Sequence, residues 1–187
     1  MKKVYAYYES LALTNQAEEF SKANLWKESW TRAGWNPVML NTSHAQISNV
    51  RNKLFTKLFK AFPSLIKEQN ECEDTLRLRL NRLCALHAAG GGWMSDYDVL
   101  NTGFSPQLAE AYEKNSFVIS GKPAYLLWIS KEIINAAMSK ILNTDLVQDG
   151  KILYEQDIFN PFLNLESEFT PHLNDYENMK KKFLEKN

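Results

Sequence analysis

Cysteine is scarce in this chain. Cys72 and Cys84 are the only two among 187 residues, too few for a disulfide framework. Each reads as a reduced thiol, and Cys84 as a small core residue. Long apolar runs are missing as well. No stretch of about 18 apolar residues occurs, so no membrane-spanning helix is expected. The N-terminal Met1-Lys2-Lys3 is basic, but Val4–Ser10 contains tyrosine and glutamate and makes no signal-peptide apolar region. The chain reads as cytoplasmic, or as a soluble domain whose anchor lies elsewhere. An excess of charge of one sign is lacking too: 22 Lys and Arg balance 22 Asp and Glu. That removes any global attraction to nucleic acid or to an anionic membrane surface. Nor is there a Gly-x-x-x-x-Gly-Lys phosphate loop.

What is present fits a globular domain. Apolar residues make up 44% of the chain, enough for one domain, 1–187, with a sizeable core. Val4–Tyr8 reads as a first strand, rich in aromatic and β-branched residues. Asn15 and Glu18 resemble a helix capping box. Phe20, Ala23, Trp26, Trp30 and Ala33 then recur near helical spacing, and Gly34 stops the helix. Pro37–Leu40 follows as a second strand. This β-α-β opening points to a parallel sheet. Asn52–Phe62 is an amphipathic helix ended by Pro63. Asp74 is placed to cap a helix over Thr75–Ala89. Ser105-Pro106 opens a helix through Lys114. Phe117–Ser120 reads as a strand, Pro123–Leu142 as mostly helix, and Ile152–Tyr154 as a strand. Asp157–Leu173 is irregular, and Tyr176–Leu184 reads as a last short helix.

One stretch carries chemistry: Gly90-Gly91-Gly92-Trp93-Met94-Ser95-Asp96-Tyr97-Asp98. The glycines end the leucine-rich helix and allow a sharp turn. In a regular strand Asp96 and Asp98 would share a face. Two close carboxylates repel unless a cation or positive side chains hold them, so the pair is a candidate divalent-metal site. Arg82 lies within an apolar face of the preceding helix. A buried guanidinium requires an anionic or hydrogen-bonding partner.

Arg82, the Leu83–Ala89 run, the glycines, Asp96 and Asp98 resemble the DXD region of GT-A glycosyltransferases, closest to the sugar-binding group that includes family 32. The likeness covers about twenty residues of the chain. A third glycine here shifts the Arg-to-Asp spacing by one. The resemblance implies an α/β fold: a single GT-A-type domain with a central, mostly parallel sheet flanked by helices and a Rossmann-like nucleotide-binding half. It implies a metal-dependent glycosyltransferase that moves a sugar from a nucleoside-diphosphate sugar to a glycan or other hydroxyl acceptor, with retention of configuration. UDP is the first choice of donor nucleotide. The cofactor is Mn²⁺ or Mg²⁺, hard cations suited to oxygen ligands.

The same resemblance distributes roles. Asp98 ligates the metal directly. Asp96 contacts the ribose or sugar, or reaches the metal through water. Arg82, Gly91 and Gly92 belong to the donor site. His172 is the candidate third metal ligand, and Asp149, ahead of Asp157, is the candidate catalytic carboxylate of the acceptor side, as a general base in inversion or steadying an oxocarbenium-like centre in retention. Tyr5, Tyr7 and Tyr8 stand near the end of the first strand, where nucleotides bind in open parallel sheets, and Asn41 and Thr42 hold the equivalent place on the second. Core packing accounts for the tyrosines equally well, and turn chemistry for Asn41 and Thr42. Two rivals stand beside this reading. A non-catalytic domain of the same fold would bind a nucleotide or glycan without turnover. A phosphotransferase of the haloacid dehalogenase type also uses Asp-x-Asp, but there an apolar strand, not glycine, precedes the acids.

Overall fold

The structure is a computed structural model. It describes residues 1–9, 16–57, 60, 73–114, 117–120, 126–143, 147–148, 151–152 and 173–175. The fold is mixed α/β, with a central, mostly parallel sheet flanked by helices. The chain divides into two compact units. One holds Met1–Met39, Gly92–Trp128 and Glu166–Asn187, and the other holds Leu40–Gly91 and Ile129–Leu165.

The first unit is built on the sheet. Its strands are β1 (Lys3–Tyr7), β2 (Asn36–Leu40), β3 (Gly92–Ser95), β5 (Phe117–Ser120) and β6 (Leu126–Ile129), with the short β4 (Val99–Asn101) outside the sheet. The strand order is β2-β1-β3-β6-β5. β1 and β3 run parallel, with Val4 opposite Trp93 and Tyr5 opposite Met94. From β1 the chain goes to one side to form β2 and later returns on the other side as β3. The order therefore reverses between β1 and β3, which is where open α/β sheets leave a crevice at their carboxyl ends.

Helix α1 (Gln16–Arg32) links β1 to β2. Trp26 and Trp30 stand four residues apart, on one face, and both are fully buried. They join Val4, Ala6, Trp35, Trp93, Leu100, Phe104, Ala109 and Leu126 in one apolar cluster. Trp35, Trp93 and Phe104 meet edge-on or stacked at ring separations of 5.0–6.2 Å, within the range that favours aromatic pairs. Helix α4 (Pro106–Tyr112) starts from Ser105, whose hydroxyl accepts a bond from the Leu108 N–H. Strand β9 (Leu173–Asp175) pairs antiparallel with β4, Val99 opposite Asp175.

The second unit is largely helical. It contains α2 (Thr42–Ile47), a helical stretch over 51–57, α3 (Glu73–Ala88) and α5 (Lys131–Asn143). α3 packs against both α2 and α5. A small hairpin of β7 (Val147–Gln148) and β8 (Lys151–Ile152) completes it.

Several expectations shift. The helix expected over Pro123–Leu142 is a strand, β6, followed by a helix that begins only at Lys131. Leu126-Leu127-Trp128-Ile129 is a short apolar run, which periodicity alone cannot assign. The hydroxyl of Ser130 accepts from the Ile133 N–H and caps the helix start, a signal present in the sequence. Asp74 lies inside α3 and pairs with Arg77 at 2.8 Å, so it is not that helix's cap. The last helix expected over Tyr176–Leu184 and the irregular segment expected over Asp157–Leu173 lie outside the described residues, except Leu173, which opens strand β9.

Candidate functional site: an acid turn at the carboxyl end of β3

β3 ends at Ser95, and Asp96-Tyr97-Asp98-Val99 forms a turn closed by the Val99 N–H on the Asp96 carbonyl at 3.2 Å. The two acids are therefore turn residues and not neighbours on one strand face. Asp96 is half-buried and Asp98 is exposed. The turn opens beside the carboxyl end of β1, at the reversal of strand order.

Helix α1 holds this turn at both ends. Trp26 Nε1 donates to Ser95 Oγ at 2.8 Å, just before it. Trp30 Nε1 donates to the Val99 carbonyl at 3.1 Å, just after it. One helical turn thus spans the acid turn with two buried indoles. In its middle, the Tyr97 hydroxyl donates to the Glu19 carboxylate, near the start of the same helix. Lys22 contacts that carboxylate from the other side at 3.1 Å. Farther on, the Asn101 N–H donates to Ser29 Oγ at 3.1 Å. Glu19, Trp26 and Trp30 fall at spacings of seven and four, one stripe of the helix. The signal was in the sequence: an acid on an otherwise apolar stripe.

The electrostatics follow from this packing. Burial pushes the Tyr97 phenol above its ordinary value, and the charges of Glu19 and Asp98 push it the same way. It stays a neutral donor. Burial alone would raise Glu19, but the Tyr97 hydroxyl and the Lys22 ammonium outweigh it and hold the carboxyl below its usual range.

The tyrosines of β1 divide. Tyr5 is buried under Gly92, where a Cβ would lie 2.9 Å from the Tyr5 ring. Burial raises its phenol. Tyr7 is buried too, its hydroxyl donating to Glu9 at 2.7 Å. Tyr8 is half-buried and meets Tyr97 edge-on, ring centres 5.4 Å apart. The first unit therefore gathers Tyr5, Tyr7, Tyr8, Gly92, Asp96 and Asp98, and of the three tyrosines Tyr8 flanks the acid turn.

The remaining candidates among the described residues belong to the second unit. Asn41 is the N-cap of α2. Its side-chain oxygen accepts from the Ser43 and His44 N–H groups at 3.1 and 3.3 Å, and His44 Nδ1 accepts from the Asn41 N–H. Thr42 is the first residue of that helix. Arg82 is half-buried in α3, with Nη2 sealed from solvent. Beyond α3 the Gly90 N–H bonds the His87 carbonyl and the Gly91 N–H the Leu86 carbonyl, both at 3.0 Å, the paired bonds of a Schellman cap. At Gly91 φ is +80°, and a Cβ would stand 2.5 Å from the Ile129 carbonyl oxygen. The glycine run thus has packing reasons of its own. Asp149, Asp157 and His172 lie outside the described residues.

Among the described residues, no group of three or more His, Cys, Asp or Glu is gathered closely enough to hold a metal ion. No described helix is long and apolar enough to cross a membrane. Comparison of the chain with protein-family models, with curated proteins and with solved structures finds no match.

Proposed function

We propose that the protein is a glycosyltransferase that uses a nucleoside-diphosphate sugar, UDP-linked in the first instance, and a divalent cation to glycosylate a hydroxyl acceptor. The single observation that carries this reading is the place of the acid turn. Two carboxylates stand where the strand order reverses, at the carboxyl ends of β1 and β3, the position at which open α/β sheets receive nucleotides. The likeness of Arg82, the glycines, Asp96 and Asp98 to the GT-A DXD region adds the choice of reaction.

The donor set fits a hard cation. Asp96 and Asp98 offer carboxylate oxygens, and Mg²⁺-like ions are commonly held by one or two carboxylates, with phosphate and water completing the shell. Such a cation, when bound, supplies neutralisation of the charge that develops on a departing diphosphate. Asp98, being exposed, is assigned the direct contact. Asp96, half-buried, is assigned to the ribose, the sugar or an intervening water. Tyr8 is assigned to the base, because its ring is half-exposed next to the turn while Tyr5 and Tyr7 are buried. Arg82 is assigned to the donor side by resemblance alone.

Asp98→Asn tests the reading. Calorimetry of UDP with Mn²⁺ and with chelator, together with UDP-sugar hydrolysis, should show metal-enhanced binding and turnover in the wild type. Both should be lost in the variant while the melting temperature is kept within a degree or so, because Asp98 is an exposed turn residue and exposed substitutions change stability little. Metal-dependent turnover retained by Asp98→Asn sinks the mechanism. Metal-dependent binding without turnover in the wild type favours a binding domain of the same fold.

A further inference from the structure

The hydrogen bond between Tyr97 and Glu19 has no place in the sheet and none in the helix ladder. It joins the residue between the two acids to the side chain of a helix, α1, whose tryptophans already hold the turn at Ser95 and Val99. Three attachments from one helix leave the Asp96–Val99 turn little freedom. The middle one is the attachment nearest both carboxylates in sequence. Its acceptor is an ionised carboxylate that is itself bonded to Lys22, and hydrogen bonds to charged groups are the stronger kind. Glu19 is 9% exposed, so water competes little for it.

We infer that Tyr97 and Glu19 are positioning residues that keep Asp96 and Asp98 in the pose that takes a divalent cation. The inference rests on the metal-dependent reading proposed above. Loosely tethered carboxylates two residues apart would swing away from one another, since like charges repel. A cation would then have to restrain the turn as it bound, which weakens affinity. Fixing Tyr97 removes that cost before binding, and does so without adding a ligand. Neither Tyr97 nor Glu19 is assigned contact with donor or cation.

The measurement is the enhancement of UDP affinity by Mn²⁺, taken as the ratio of calorimetric affinities with Mn²⁺ and with chelator. Tyr97→Phe keeps the ring and removes only the donor. It should reduce the enhancement about tenfold, the scale of one hydrogen bond to a charged group, and leave UDP affinity in chelator unchanged. Glu19→Gln keeps an acceptor for the phenol and should lose less, and Glu19→Ala should match Tyr97→Phe. The Tyr97→Phe/Glu19→Ala pair should lose no more than either single variant. A merely structural bond predicts a lower melting temperature with the ratio intact, and that result overturns the inference. So does a Tyr97→Phe variant that loses affinity equally with and without Mn²⁺. If Asp98→Asn loses the enhancement while Tyr97→Phe and Glu19→Ala keep it, positioning alone is wrong. If wild type shows no enhancement, the metal-dependent reading falls and takes the inference with it.

Discussion

The two units are stabilised by different chemistry. In the first, buried indoles serve both as core and as hydrogen-bond donors: Trp26, Trp30 and Trp35 each place an Nε1–H on Ser95, Val99 or Phe104. In the second, polar side chains bridge the helices. Ser48 Oγ meets His87 Nδ1 at 2.9 Å, and Arg51 Nε donates to Asn81 Oδ1 at 3.0 Å while its guanidinium stacks on Phe55 at 4.3 Å. Cys84 is fully enclosed, and burial pushes its thiol up to about 11 despite the Arg51 charge and the Ser48 bond. An indole does two jobs with one rigid group and few rotatable bonds. A chain that must fix one short turn gains most from that economy of freedom, and the tryptophans are gathered on the side that carries the acids.

The sharpest way to break the contrast is to truncate one member of each network. Trp30→Ala should cost about 3–5 kcal/mol, the range for large aromatic cores, and should unseat the Val99 carbonyl. Asn81→Ala should cost about 1–3 kcal/mol, the scale of one lost buried partner. Chemical denaturation of both variants decides it. Equal losses would mean that the aromatic network has no special weight.

The glycine run offers a second comparison, inside one segment. Gly91→Ala meets both a positive φ and a backbone carbonyl oxygen at 2.5 Å, and should cost about 2–4 kcal/mol. Gly90→Ala meets the positive φ alone, with nothing within 4 Å of the added carbon, and should cost about 1 kcal/mol. If the two variants melt together, the close approach to Ile129 does not govern the choice of glycine. A smaller effect concerns the thiol. In a Cys72→Ser background, Cys84 should resist iodoacetamide at pH 8 until denaturant is added, because the thiolate is the reactive form.

The β-α-β opening was legible because Val4–Tyr8, the Trp26–Trp30 spacing and Gly34 each signal locally. β6 was not, because an apolar run of four reads as strand or helix alike, and Ser130 marked the boundary only in retrospect. β4 is not legible locally, being three residues whose partner strand lies more than seventy positions away. For the site, the acids were legible and the turn between them was not, since Asp-x-Asp suits a strand or a turn. The apolar stripe marks Glu19 but not its role, because its partner Tyr97 is 78 positions away. The first-strand tyrosines could be told apart only by burial: Tyr5 and Tyr7 lie within β1, and Tyr8 lies just past its end.

The Tyr97–Glu19 attachment also sets a pH dependence, the smallest effect expected here. The folded-state carboxyl of Glu19 lies below its ordinary value of 4.5, so the folded protein binds that proton less readily than the unfolded chain. Its contribution to stability is complete above about pH 4.5 and is lost as pH falls through the lower folded-state value. Protonation removes the charge that Tyr97 and Lys22 address. Glu19→Gln imitates that loss at neutral pH and should cost about 1 kcal/mol, since the amide oxygen still accepts from the phenol. Between pH 7 and 5 the wild type should therefore exceed Glu19→Gln by a constant margin, and the two should converge on further acidification. Urea melts of both proteins at half-unit steps from pH 7 to 3 give the two curves. Parallel curves throughout would show that Glu19 is not the group whose ionisation supports the acid turn. A margin that instead widens on acidification above pH 5 would place its carboxyl above the ordinary range, where burial alone would have left it.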